Sequence, residues 1–111
     1  MARDVAILEA VSEGESPPTL RLYGWDPPCL TLGRHQGVEA ADLDFCTVEG
    51  VDVVRRPTGG RALLHHLELT YALAAPLGRG PLPRGLQDAY RSICDALVHA
   101  MQTLGVNAEL T

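Results

Sequence analysis

Hydrophobic residues recur along this chain with two different periods. Over residues 4–11, Val5, Leu8 and Val11 share one face with Ile7 beside them, which predicts a short helix stopped by Gly14. Ser16-Pro17-Pro18 then reads as a linker turn. Residues 19–25 change to a period of two, with Leu20 and Leu22 on one face and Arg21 and Tyr23 on the other, the signature of a strand. Asp26-Pro27-Pro28 turns the chain, and residues 29–33 return as a second strand ending at Arg34, His35 and Gln36. Residues 38–45 predict a short helix with Val38, Ala41 and Phe45 inward and Glu39, Asp42 and Asp44 on a solvated face. Val51 and Val53 alternate with Asp52 and Val54 as a strand that Pro57, lacking an N–H, must stop. After a glycine pair, Ala62 and Leu64 alternate with Arg61, Leu63 and His65, and Leu69, Tyr71 and Leu73 alternate with Thr70, Ala72 and Ala74. The clearest helix spans 85–104, where Leu86, Tyr90, Ile93, Leu97, Met101 and Leu104 form one apolar stripe that should pack in the core, with Cys94 buried and inert beside it. Gly105 caps it, and residues 106–110 begin another strand.

This order predicts an α+β fold, a mainly antiparallel sheet with helices on one face. At 111 residues the chain is one small domain, residues 1–111, with enough apolar content (46%) for a core. No apolar run is long enough for a membrane span and the N-terminus lacks a signal-peptide pattern, so a cytoplasmic location is the default. Cys29, Cys46 and Cys94 are odd in number and lack paired spacing, against a disulfide framework and against a zinc site. A net charge of −5 gives no nucleic-acid footprint.

The chemistry concentrates in Arg55-Arg56-Pro57-Thr58-Gly59-Gly60-Arg61-Ala62-Leu63-Leu64-His65. The glycine pair permits a sharp turn whose bare amides can approach an anion, Thr58 supplies a hydroxyl, and the arginines supply forked donors for a carboxylate or phosphate. All nine basic residues are arginine, so the chain offers no side-chain amine as a nucleophile or acyl carrier.

That run resembles the signature of the lipoate–protein ligase and octanoyltransferase family, related to the biotin–protein ligases, whose pattern is Arg-Arg-x-Ser/Thr-Gly-Gly-x-Ala-x-x-His. Glu68-Leu69-Thr70-Tyr71 also fits, closest to the octanoyltransferase branch, and Tyr23-Gly24-Trp25-Asp26-Pro27-Pro28-Cys29-Leu30-Thr31-Leu32-Gly33-Arg34-His35-Gln36 is a second matching block. His66 departs from the family's usual Asp. The resemblance implies a biotin synthetase-like fold, also found in class II aminoacyl-tRNA synthetase cores. It implies a pocket for a lipoyl or octanoyl group or its adenylate, with biotin as a further possibility. Arg56 then falls at the ligand-contacting arginine. Thr58, Gly59, Gly60 and Arg61 wall the ligand, Ala62 and Leu63 border the acyl chain, His65 is a supporting donor or pocket residue, and Gln36 is a pocket position. The chain corresponds to the N-terminal half of the family's domain, and the start is also shortened by a strand. The family's ligase lysine and transferase cysteine are expected downstream of Thr111, so no catalytic residue is assigned here. The expectation is part of an acyl-transfer enzyme completed by a second chain, or a non-catalytic relative that binds or interacts, in either case associating as a homo-oligomer or complex. A lipoyl-domain acceptor protein is a further expected partner.

Overall fold

The computed structural model describes residues 1–111. Helix α1 (Ala2–Ser12) leads through a turn into strand β1 (Thr19–Tyr23), then β2 (Cys29–Leu32). A single 3-10 turn (Val38–Ala40) and helix α2 (Leu43–Val48) precede β3 (Asp52–Arg55), followed by β4 (Leu63–His65), β5 (Thr70–Ala74) and the long helix α3 (Leu86–Thr103). The α+β class is as the patterning predicts.

The strands form two sheets. β1 and β5 pair antiparallel, with Leu20 opposite Leu73 and Leu22 opposite Tyr71. The second sheet has β2 in the middle, parallel to β3 on one side and antiparallel to β4 on the other. A parallel neighbour needs a crossover, and the segment containing α2 provides it. Because both edges of β2 are paired, Cys29, Thr31 and Leu32 are the most deeply buried strand residues, and Thr31 is fully enclosed.

Several details differ from the sequence reading. The sharp turn expected at the glycine pair is part of a wider connection, and the strands either side of it are not neighbours. β3 and β4 flank β2, so residues 56–62 must arch across its end. The predicted helix at 38–45 breaks in two, because Asp42 leaves the helical conformation to cap α2, its side chain accepting from the Phe45 N–H at 2.9 Å. The inward residue of α2 is therefore Cys46, and Phe45 is exposed. On β1 the alternation holds and leaves the inward face open: Arg21 and Tyr23 turn toward α1, where Asp4 accepts from both, while Leu20 and Leu22 face outward. An ion pair and a phenol hydrogen bond satisfy the polar groups on that face, which alternation alone does not reveal. In α3 the buried residue is Ala89. Leu86, Tyr90, Met101 and Leu104 of the apolar stripe are exposed, and Cys94 is half-buried rather than enclosed. Periodicity identifies a shared face without identifying what covers it. Residues 106–110 form no strand.

Candidate functional site

Two loops meet at the end of β2: residues 33–36, which leave that strand, and residues 56–62, which arch across it. Backbone hydrogen bonds join them, from Arg34 N–H to Thr58 O (2.9 Å) and from Arg56 N–H to Leu32 O (2.9 Å). The approach requires glycine on both sides. A Cβ on Gly33 would stand 1.9 Å from the Gly60 carbonyl oxygen. Gly60 has φ +94°, and a Cβ there would meet the Arg56 guanidinium at 3.0 Å.

The two arginines are internal staples. Arg55 Nη1 donates to the carbonyls of Gly33 (2.9 Å) and Gln36, holding the first loop closed. Gln36 returns its Oε1 to the Gly33 N–H at 2.9 Å. Arg56 is half-buried beneath the second loop. Its Nη1 donates to Thr31 O (3.2 Å) and Thr31 Oγ1 (3.1 Å), and its Nη2 to the carbonyls of Gly59 (2.8 Å) and Arg61 (2.6 Å). The fork therefore reads four protein oxygens, leaving only Nε–H without a partner. With the loop carbonyls turned onto Arg34 N–H and Arg56, the N–H groups of residues 58–61 donate to nothing within the chain. Exposed backbone amides without a partner are donors open to an acceptor, such as an anion, from outside the chain.

A polar chain continues from Arg56. Thr31 Oγ1 lies 3.0 Å from His65 Nε2, and His65 Nδ1 lies 2.5 Å from Glu68 Oε1. Trp25 stacks on the His65 ring (centroids 4.3 Å apart, planes at 18°) and donates Nε1–H to Thr70 Oγ1, which in turn donates to Glu68. The hydrogen bond from His65, reinforced by Thr70, holds the Glu68 carboxyl below the usual carboxylate range.

Beside the second loop runs a half-open apolar trough of about 310 Å³. Val5, Ile7 and Leu8 of α1 form one side, residues 71–74 of β5 another, with Ala72 and Ala74 on the strand's α1-facing side, and Arg56-Pro57-Thr58 border it as well. The Asp4–Arg21–Tyr23 cluster is the polar part of its lining. Burial, then the Asp4 hydrogen bond, push the Tyr23 phenol up.

Of the residues singled out in the sequence, Arg56 and Thr58 border this trough. Gly59, Gly60 and Arg61 continue from it as the exposed arch, and Ala62 and Leu63 lead into β4 outside the trough lining. His65 stands beneath the arch, behind Arg56, in a supporting position. Gln36 closes the neighbouring loop rather than lining the trough. The residues missed were Thr31, Trp25, Glu68, Val5 and Tyr71. A Glu three residues after the motif histidine was visible in the sequence, but Thr31 joins the group only through the β2–β4 register. No cysteine borders the trough. Burial, with the Asp52 charge, raises the Cys29 thiol, and Cys46 is enclosed under α2.

Residues 1–111 match the model of the lipoyl protein ligase A/B catalytic domain, and the chain belongs to that family. Among curated relatives, the octanoyltransferase LipM of Symbiobacterium thermophilum is 46% identical over 112 residues, covering 100% of this chain and 40% of that protein. The chain thus spans about two-fifths of the length of the relatives it matches. Among solved structures, the Thermoplasma acidophilum protein Ta0514 with bound lipoic acid superposes with a TM-score of 0.70 at 25% identity, over 100% of this chain and 47% of that one. A bi-partite lipoate protein ligase of the same organism, studied with its E2 lipoyl domain, shares the fold: TM-score 0.73, 24% identity, 99% of this chain and 44% of that one.

Proposed function

We propose that residues 1–111 form the acyl-binding wall of an octanoyl- or lipoyl-transfer protein. The trough takes the hydrocarbon chain, and the amides of residues 58–61 receive the oxygen of its carboxyl, thioester or acyl-adenylate head. The observation that carries this reading is the juxtaposition of an apolar trough with Thr58, where the run of unpartnered amides begins. In this assignment Arg56, Gly59, Gly60, Arg61 and His65 shape the head-group end, while Gln36, Ala62 and Leu63 frame it. Biotin, with a polar bicyclic ring, suits this apolar lining less well than an octanoyl or lipoyl tail. The LipM relative favours octanoyl transfer. The protein with bound lipoic acid makes lipoate the second ligand to test.

The nucleophile comes from other polypeptide, either further sequence of the same protein or a second chain. Supporting this, the chain has no lysine and none of its cysteines meets the trough. The outward face of the β1–β5 sheet carries Leu20, Leu22, Tyr71 and Leu73, an apolar patch suited to that contact or to self-association. A lipoyl-domain acceptor would approach the open side of the trough. Calorimetry with hexanoate, octanoate and lipoate tests the binding claim. Each buried methylene contributes about 0.8 kcal/mol, so octanoate should bind up to about 15-fold tighter than hexanoate. Equal affinities, or no binding of any of them, would refute it.

A further inference from the structure

We infer that Glu68 is a positioning residue for the head-group end of this site, acting through His65 and Thr31 on Arg56. The inference rests on the acyl-binding reading for its consequence, but not for its geometry. Four side chains join in one line: Glu68 Oε1 to His65 Nδ1 at 2.5 Å, His65 Nε2 to Thr31 Oγ1 at 3.0 Å, and Thr31 Oγ1 to Arg56 Nη1 at 3.1 Å. Arg56 then fixes the arch through the Gly59 and Arg61 carbonyls.

The proton sense of this line is set at both ends. An ionised carboxylate only accepts and a guanidinium only donates. Nδ1 must therefore carry the imidazole proton toward Glu68, and the Thr31 hydroxyl, already accepting from Arg56, sends its own proton to Nε2. With the other tautomer, Nε2–H and Arg56 would both donate to Thr31 Oγ1, leaving the hydroxyl proton of a fully enclosed side chain without an acceptor. Glu68 thus selects the tautomer that lets Thr31 seat Arg56. The Trp25 ring, stacked on His65 and tied to Glu68 through Thr70, keeps the imidazole in plane. An arch so held keeps the unpartnered amides of residues 58–61 in place without needing a ligand to order them.

The test compares the parent chain with Glu68→Ala and with Glu68→Gln, which retains an acceptor oxygen, after circular dichroism confirms that each is folded. Long-range ¹H–¹⁵N spectra at pH 8 should show His65 as the Nδ1–H form in the parent and in Glu68→Gln, and as a mixture in Glu68→Ala. Gly59 and Gly60 amide resonances should move with it. Octanoate binding should weaken about fivefold in Glu68→Ala, the equivalent of one hydrogen bond, and recover in Glu68→Gln. An unchanged tautomer in Glu68→Ala overturns the inference, as does a changed tautomer with unmoved Gly59 and Gly60 amides. If the parent binds no octanoate, the acyl reading fails, and the relay stands or falls on the His65 and glycine resonances alone. Should Glu68→Ala fail to fold, Glu68→Gln decides: a lost Nδ1–H form together with unmoved glycine amides overturns the inference, and a retained form supports it.

Discussion

Replacing Arg56 with alanine removes four donated hydrogen bonds at once, and the acceptors differ in what they lose. The Thr31 carbonyl belongs to a residue with no exposed surface, so its interaction with Nη1 at 3.2 Å has no water to replace it. Leaving such a group unsatisfied costs about 1–3 kcal/mol. Thr31 Oγ1 keeps its contact with His65. The Gly59 and Arg61 carbonyls lie on an exposed arch and rehydrate, so each loses only the net value of a bond, about 0.5–1.5 kcal/mol. Allowing for non-additivity among bonds to one side chain, Arg56→Ala should cost about 2–4 kcal/mol, a large part of the stability of a domain this size. Arg56→Lys keeps the charge but not the fork and should recover about half of the loss. Urea unfolding followed by fluorescence of the single tryptophan reads this directly, because Trp25 stacks on the histidine next in line from Thr31. If Arg56→Ala unfolds within about 0.5 kcal/mol of the parent, the size expected of a neutral surface change, the staple account is wrong.

Other consequences follow from the same geometry. Gly33→Ala places a methyl 1.9 Å from the Gly60 oxygen, so it should cost about 1–3 kcal/mol, as overpacking does, and shift the amide resonances of residues 58–61; a neutral substitution would contradict the loop contact. Glu68 has a carboxyl held below its ordinary value of 4.5, so its contribution to stability is complete above that value and is lost as pH falls through the lower folded value. Glu68→Gln should flatten this acid limb in unfolding curves, and an unaltered limb would remove the Glu68–His65 contact from the account. Cys29, with its thiol raised by burial, should react with iodoacetamide more slowly than half-buried Cys94, as peptide mass spectrometry would show. Incubated with an octanoylated carrier protein, the 111-residue chain should acquire no octanoyl mass on any cysteine; an adduct would show that it holds its own nucleophile.

The α+β class and the positions of most elements were legible because period-two and period-three-to-four patterns are local properties of the chain. The site was legible as a composition: two arginines, a hydroxyl, paired glycines and a histidine. Its wiring was not. Arg56 reads from the sequence as a free fork for a ligand, yet in the fold it faces the carbonyls of its own loop, because β3 and β4 flank β2 instead of pairing with each other. That topology depends on long-range pairing, which local alternation does not encode. The choice of inward face on β1 has a similar origin. Asp4, fifteen residues before Thr19, supplies the partner that lets Arg21 and Tyr23 turn inward. Leu20 and Leu22 follow outward by alternation.

The central claim is that an acyl chain lies in the trough with its head at the glycine arch. Backbone ¹H–¹⁵N spectra of the labelled chain, titrated with octanoate, test it most directly. The account predicts saturable shifts confined to Val5, Leu8, Ala72 and Ala74 and to the amides of Thr58, Gly59 and Gly60. Shifts centred instead on Leu20 and Leu22 with an unmoved arch, or no shifts at all, would contradict it.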